Sequence, residues 1–543
     1  MKADLWRVLK TGALLVAGIY LTGCDDTDAR EQIKQNGFIF CGQGTPLSLN
    51  PQRVDNDIAA EALAPQLFNT LVHLSEDDHE LKPMLATSWQ MNEARTEYIF
   101  TLRDNVTFQT TDWFTPTRTM NADDVVFTFD RILDSSHPFH YVGGADYPWF
   151  SAIGFSQTVK DVVALDDRHV KFVLSAPDNT FLPNLSTIYS AIQSKEYGDL
   201  LIKSDLKQYI DTHPVGTGPF YLDEYSVNDF VRLRSNHDYW NGKPKMEQVV
   251  FDISSRGTGT LAKLLRNKCD VLYAPKSSQI PTIQQNPNLV LQAHPSMNVS
   301  FIALQTQSPA LNDVRVRKAL NLAVNRSAII DSVYYGYGTP AFSILPPESW
   351  AYQKDSSQVR YDRNYARALL REAGYGKGLE LSIWVQAEPT VYNPSPRKVA
   401  ELLQSNFADI GIKLDILLDE RLTRTQIRER ASADMILSGW SADTTDPDNF
   451  FRPLLSCNAE FAGLNISTWC NPDFDFLLNL AKETTEQRYR LNLYRQAQNM
   501  LNEEVPVVPI AHGMQFQAKH KSLKGFNASP FNTLSFENVE REK

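Results

Sequence analysis

Across 543 residues, 53 Lys and Arg stand against 64 Asp and Glu, a formal charge of −11, with 42% hydrophobic residues. That length exceeds one ordinary core and predicts two or three lobes. The acidic balance argues against a nucleic-acid-binding surface and allows attraction of cationic ligands.

Lys2, Arg7 and Lys10 precede a short apolar run that ends at Cys24. This is a secretory signal pattern, too short for a bilayer span. Leu21-Thr22-Gly23-Cys24 resembles the lipobox of bacterial lipoproteins. The resemblance implies cleavage after residue 23, lipid on the Cys24 thiol and a tether over 24–35. An incidental cysteine with cleavage elsewhere is the alternative reading. Asp25 and Asp26 resemble the inner-membrane retention signal of enterobacterial lipoproteins, which implies a periplasmic protein held on the outer face of that membrane. Removing 1–23 takes away three basic residues and Asp4, and the formal charge becomes −13.

Further along, Tyr98, Phe100 and Leu102 alternate with Ile99, Thr101 and Arg103, predicting a half-buried strand. Asn121 then predicts a helix cap, with Asp124 in the capping-box position and Val125, Phe129 and Ile132 as the apolar stripe. Strand, loop and helix in succession predict an α/β lobe. One helix is expected over 311–331 through Val316, Leu320 and Val324, capped by Asn312 or Asp313. Another is expected over 398–410 through Val399, Leu402, Leu403 and Phe407, stopped by Gly411 and followed by a strand over 413–418. A last helix spans 488–501, with Leu491, Tyr494, Gln498 and Leu501 on one sector. No period of roughly 20–50 residues recurs, which disfavours a solenoid or propeller.

Past Cys24 stand Cys41, Cys269, Cys457 and Cys470, an even number that favours disulfides in an exported chain. Paired in order they close one very long and one short loop, worth roughly 5.5 and 3 kcal/mol of loop entropy. No Cys-x-x-Cys pair suggests a redox or zinc site.

Gly216-Thr217-Gly218-Pro219-Phe220, Asn236-His237-Asp238-Tyr239-Trp240, Val316-Arg317-Lys318-Ala319-Leu320 and Asp446-Pro447-Asp448-Asn449-Phe450 together resemble the oligopeptide- and dipeptide-binding proteins of ABC importers. Thr111 to Arg118, Ser343-Ile344-Leu345-Pro346 before Trp350, and Phe451 to Cys457 resemble the SapA-type branch, named for sensitivity to antimicrobial peptides. The resemblance covers roughly residues 36–543. It implies an α/β bilobal periplasmic-binding-protein fold of the large peptide-binding type, with three lobes and a ligand cleft. Lobe I is discontinuous over 36–72, 213–292 and 510–543. Lobe II is inserted over 73–212, and lobe III, the second ligand lobe, runs over 293–509. The same resemblance implies the disulfides Cys41–Cys269 and Cys457–Cys470, and hinge closure around ligand.

In such peptide-binding relatives the acid matching Asp443, in Gly439-Trp440-Ser441-Ala442-Asp443, pairs with the ligand's α-amino group, and the aromatic matching Trp440 helps form the pocket. Without the resemblance, Trp440 reads as core and Asp443 as a turn cap. Two places before Tyr392-Asn393-Pro394, dipeptide-binding relatives carry an arginine that receives the ligand carboxylate; this chain has Thr390. A hydroxyl does not replace a bidentate guanidinium, so a longer or differently held peptide, or another solute, is expected. Ligand contacts are therefore expected from Asp443, Trp440, Thr390 and Tyr392.

Weaker motifs point elsewhere. Gly216 to Phe220 lacks the full phosphate-loop pattern and reads as a turn. Asp134, His137 and His140 suggest a metal site that the intervening Pro138 disfavours. The loop Gly143-Gly144 with Tyr147-Pro148-Trp149 faces the cleft or packs within its lobe, and Tyr334, Tyr335 and Tyr337 stack on ligand or end a helix. Neither His-Glu-x-x-His nor Gly-x-Ser-x-Gly occurs. The expected function is capture of peptides, cationic or antimicrobial ones included, and delivery to an inner-membrane permease by a monomer without cofactor, metal or catalysis. The alternatives are a binder of haem or of a polyanion such as RNA through the same cleft, an extracytoplasmic hydrolase, and a chaperone-like lipoprotein.

Overall fold

Strand Glu97–Leu102 buries Tyr98, Phe100 and Leu102 and turns the alternate residues outward, as its period-2 spacing predicts. It lies between Ala86–Met91 and His169–Leu174 in a four-stranded antiparallel sheet completed by Val159–Ala164. Helix Ala122–Leu133 packs on this sheet through Val125, Phe129 and Ile132. The Asp124 carboxylate accepts the Asn121 N–H at 2.9 Å, as the capping spacing predicts. It also receives the Arg118 guanidinium at 2.7 and 2.8 Å and the Lys195 N–H at 2.8 Å, tying the start of helix Lys195–Lys203 to the same carboxylate.

The computed structural model describes residues 33–42, 46, 48–54, 58–75, 80–144, 147–254, 257–353, 361–419, 433–461, 464–526, 531 and 534–542. Cys24 and its lipidation motif lie outside the described residues. Most strands join one twelve-stranded mixed sheet that shares a single long member, Val507–His520. The first half of this strand pairs with Asn298–Leu304 and Gly338–Pro340, and the second half with Val271–Tyr273 and Leu289–Pro295. On the second side, Gly37–Cys41 runs parallel to Val271–Tyr273 and to Gln248–Asp252, followed outward by Phe230–Ser235 and Phe220–Ser226. On the first side, Asn298–Leu304 leads to Met435–Ser441, then Leu379–Gln386, then Ile412–Asp419. Every residue of Gly37–Cys41 is buried, as a parallel strand covered on both faces requires.

Both disulfides form as the resemblance implies, with Cα separations of 6.0 Å for Cys41–Cys269 and 4.6 Å for Cys457–Cys470. Helix Pro396–Ala408 stops before Gly411, whose φ of +89° favours glycine, and strand Ile412–Asp419 follows. Helix Gln487–Glu504 buries Tyr494, Gln498 and Leu501. The single helix expected over 311–331 is instead two, Val314–Ala323 and Arg326–Val333. Asp313 caps the first by accepting the Arg315 N–H at 2.8 Å. The break follows from Asn325. Its side chain accepts the Ala328 N–H at 3.1 Å, which starts a new helix, while its own N–H goes to Asn406 Oδ1 at 2.8 Å instead of continuing the ladder.

Replacing Cys41 and Cys269 by Ser is expected to lower the unfolding free energy by about 2–5 kcal/mol. The loss should exceed that from the same change at Cys457 and Cys470, because the sequence separations are 228 and 13. Equal urea midpoints for the two double variants would contradict this. Asp130 has its pKa raised to about 6, first by burial and then by Asp134 and Asp161. The folded chain holds this proton more tightly than the unfolded chain, so the group's contribution to stability is lost as pH rises from about 4 to about 6. Asp130→Asn is therefore expected to raise the thermal midpoint at pH 7 and leave it unchanged near about pH 3.5. A midpoint that responds equally at both pH values would contradict this origin.

Candidate functional site

Parallel strands deliver their following loops to one edge of a sheet, where α/β proteins place ligands. On one side of the long strand that edge carries Ala274–Ser277, after Val271–Tyr273. On the other it carries residues 387–393, after Leu379–Gln386, and residues 442–446, after Met435–Ser441. The two edges meet. Pro275, Lys276 and Ser277 line one cavity with Thr390, Val391 and the central part of the long strand, Met514 to Phe516. Thr390 also lines a second cavity with Trp384, Gln386, Glu388, Tyr392 and Ser438. Each encloses about 30 Å³.

The loop holding Thr390 and Tyr392 is fixed by its own backbone. Thr390 N–H donates to Asn393 O at 3.0 Å, and Thr390 Oγ1 accepts the Asn393 N–H at 3.1 Å, leaving the hydroxyl proton to be donated elsewhere. Tyr334, fully buried, donates its hydroxyl to Tyr392 O at 2.7 Å. The Tyr392 ring lies against Gly439, where a Cβ would come within 2.2 Å of a ring carbon. This gives Gly439 a packing reason in its motif.

Trp440 is 1% exposed and stacks on Trp149 with ring centroids 6.2 Å apart and planes 14° apart. Trp149 in turn contacts Tyr189 at 5.0 Å. Of the two readings of the loop before Trp149, packing between segments describes the geometry: Arg53 donates to Gly143 O at 2.6 Å and sits 5.1 Å from the Tyr147 ring. Asp443 is half-buried and donates its N–H to Asn449 Oδ1 at 3.2 Å. Beside it, Arg490 binds Asp446 at 2.7 Å and Arg452 grips both oxygens of Asp448 at 2.7 and 3.0 Å. Burial raises the Asp446 pKa against the pull of Arg490. The structure thus brings Thr390 and Tyr392 to one edge, and places Trp440 beneath it and Asp443 at the end of the neighbouring strand.

The other motifs serve the fold. Gly216 and Gly218 approach the Gln66–Phe68 backbone, so that Cβ atoms there would meet Leu67 O at 2.1 Å and Gln66 O at 2.5 Å. Gly216 and Gly218 donate inward to Gln109 Oε1 and Leu67 O, both at 3.0 Å, which is a turn and not a phosphate cradle. His140 donates Nδ1–H to Arg131 O at 2.8 Å, and His137 accepts the Phe139 N–H at 3.3 Å, with its pKa lowered to about 4 chiefly by burial. Among the described residues no three His, Cys, Asp or Glu converge as a metal site. Tyr337 packs edge-on to Phe516 at 5.2 Å, while Tyr335 is exposed. Sequence reasoning missed Lys276, Ser277, Glu388 and Ser438; for the first two, the available signal was their place just after a short, wholly buried strand.

Gly439→Ala is expected to destabilise by about 1–3 kcal/mol through collision with Tyr392. The double variant with Tyr392→Ser should recover much of the loss; an unchanged urea midpoint in the single variant would remove the constraint.

The family model of bacterial extracellular solute-binding proteins, family 5 Middle, matches residues 80–461. The peptide transport periplasmic protein SapA of Salmonella typhimurium is 40% identical over 543 residues, covering 99% of this chain and 98% of that protein. Haem-binding protein A of Haemophilus influenzae is 35% identical over 542 residues, covering 98% and 99%. The crystal structure of the dipeptide binding protein from Pseudoalteromonas sp. SM9913 in complex with Met-Leu superposes with a TM-score of 0.89 at 40% identity, covering 93% of this chain and all of that one. With this fold, these two facing edges and identity along nearly the whole length, the chain belongs to the family 5 bacterial extracellular solute-binding proteins, in the peptide-binding group of ABC-importer proteins that includes the SapA type.

Proposed function

We propose that this protein captures peptides in the periplasm by closing a cleft and presents them to an inner-membrane ABC permease, without catalysis. The observation that carries this reading is the meeting of two loop-bearing edges on either side of the shared strand Val507–His520. The lobes are taken as 36–72 with 213–292 and 510–543, facing 293–509, with 73–212 inserted; the stack of Trp149 on Trp440 supports contact between 73–212 and 293–509. Identity to a peptide transport protein and to a protein crystallised with Met-Leu supports peptide as the substrate class. Asp443 is the anchor for the peptide's amino group, Trp440 and Tyr392 support the wall, and Thr390 contributes a hydroxyl. Cys24 carries the lipid that tethers a monomer through 24–35.

Native mass spectrometry of the purified mature protein, followed by denaturing release, tests the substrate class. Peptides of limited length support the proposal, and haem or nucleic acid moves the assignment to the alternative ligands. Asp443→Asn is expected to weaken an amine-bearing peptide by about tenfold or more, the worth of a charge-assisted hydrogen bond. The N-acetyl peptide should bind both proteins alike. Unchanged calorimetric affinity for the free-amine peptide, with the thermal midpoint preserved, would remove Asp443 from the site.

A further inference from the structure

The two cavities that share Thr390 differ in charge. Among the described residues lining them, Lys276 is the cation of the first and Glu388 the anion of the second. Lys276 stands on the edge opposite Thr390, at the end of a strand parallel to Gly37–Cys41. Its backbone is held in place: Lys276 N–H donates to Gln279 Oε1 at 3.0 Å, and Gln279 Nε2 donates to Gly257 O at 3.3 Å. The ammonium lies 3.9 Å from where a Gly257 Cβ would stand. The neighbouring cation on this edge, Lys263, is already committed to Asp252 at 2.5 Å and to Ser254 at 2.8 Å. Lys276 makes no ion pair with any described residue. Lys276, a half-buried residue on one edge, and the Thr390 hydroxyl, whose proton is not used within its own loop, line the same cavity from opposite edges and together offer a receptor for an anionic group.

We propose that Lys276 receives the carboxylate end of a bound peptide, with the Thr390 hydroxyl donating to the same group from the opposite edge. This rests on the peptide reading and adds a second anchor to it. Asp443 and Lys276 then lie on different lobes, so a zwitterionic peptide bridges the cleft by charge at both ends. The preference is for a free C-terminus, and it is set by a residue that does not share a lobe with Thr390.

Matched di- to pentapeptides, prepared as free acids and as C-terminal amides, are competed by native mass spectrometry for the wild type, Lys276→Met and Lys276→Arg. Thermal midpoints verify folding. Wild type should favour the free acids by about tenfold, Lys276→Met should reduce that preference to within about twofold, and Lys276→Arg should retain most of it. Equal binding of acids and amides by the wild type overturns the proposal, as does a preference that survives in folded Lys276→Met. Failure of both peptide sets to bind removes the peptide reading itself. Loss of affinity in Asp443→Asn with no acid-over-amide preference removes Lys276 alone.

Discussion

The fourteen-residue strand Val507–His520 must satisfy its backbone hydrogen bonds on both halves of the large sheet, and the remaining architecture depends on that requirement. The chain crosses between the halves once within this strand and once at Ser296-Met297, between Leu289–Pro295 and Asn298–Leu304. Asn298 clamps the two crossings together. Its Oδ1 accepts the Gly513 N–H at 2.8 Å, and its carbonyl accepts Nδ1–H of His512 at the same distance. Burial lowers the His512 pKa to about 4, so near neutral pH the ring is neutral and its one proton lies on Nδ1 in this bond. Two crossings clamped at one residue are the arrangement that the proposed closure by hinge motion calls for.

Buried charge pairs join segments distant in the chain. Asp178 and Lys482 pair at 2.9 Å while largely buried, and Lys482 also donates to Thr158 Oγ1 at 3.0 Å. Asn179 takes Lys482 O at 2.8 Å through both its N–H and its side chain, and Arg131, wholly buried, pairs with Asp211 at 2.8 Å. Such pairs lose hydration on burial, and their net stabilisation is small. Their effect is to make alternative packings costly, since any shift strands a buried charge. The arginines on Asp446 and Asp448 act in this way on the loop that follows Met435–Ser441, which gives Asp443 a defined position.

What was legible in the chain was what local spacing encodes. Period-2 alternation at Tyr98, Phe100 and Leu102, the Asp124 half of the capping box at Asn121 and the stop at Gly411 each depend on neighbours a few residues away, and each has the expected form. The break at Asn325 was not legible, because its N–H donates to the side chain of a distant residue, Asn406, instead of to the helix ladder. The Trp149–Trp440 stack and the Tyr392–Gly439 contact likewise join segments with no common pattern in sequence. The motif around Trp440 and Asp443 stood out only through resemblance. Lys276 follows a short apolar run, and what that position is for emerges only when the sheet order places it opposite Thr390.

Charges divided between two edges have a consequence for the energetics of closure. On the proposed assignment of Asp443 and Lys276, an acid on one lobe and an ammonium on the other attract across the cleft, but at a hinge-open separation water and salt screen that attraction. A zwitterionic ligand reverses the situation, because each of its ends meets an opposite charge and the low-dielectric cleft then strengthens both contacts. Differential affinity for the closed state, and not affinity as such, is what shifts a hinge equilibrium. A ligand lacking one charged end engages one lobe and gains little from closure. Selectivity in such an arrangement therefore comes from the requirement that one molecule satisfy both edges at once.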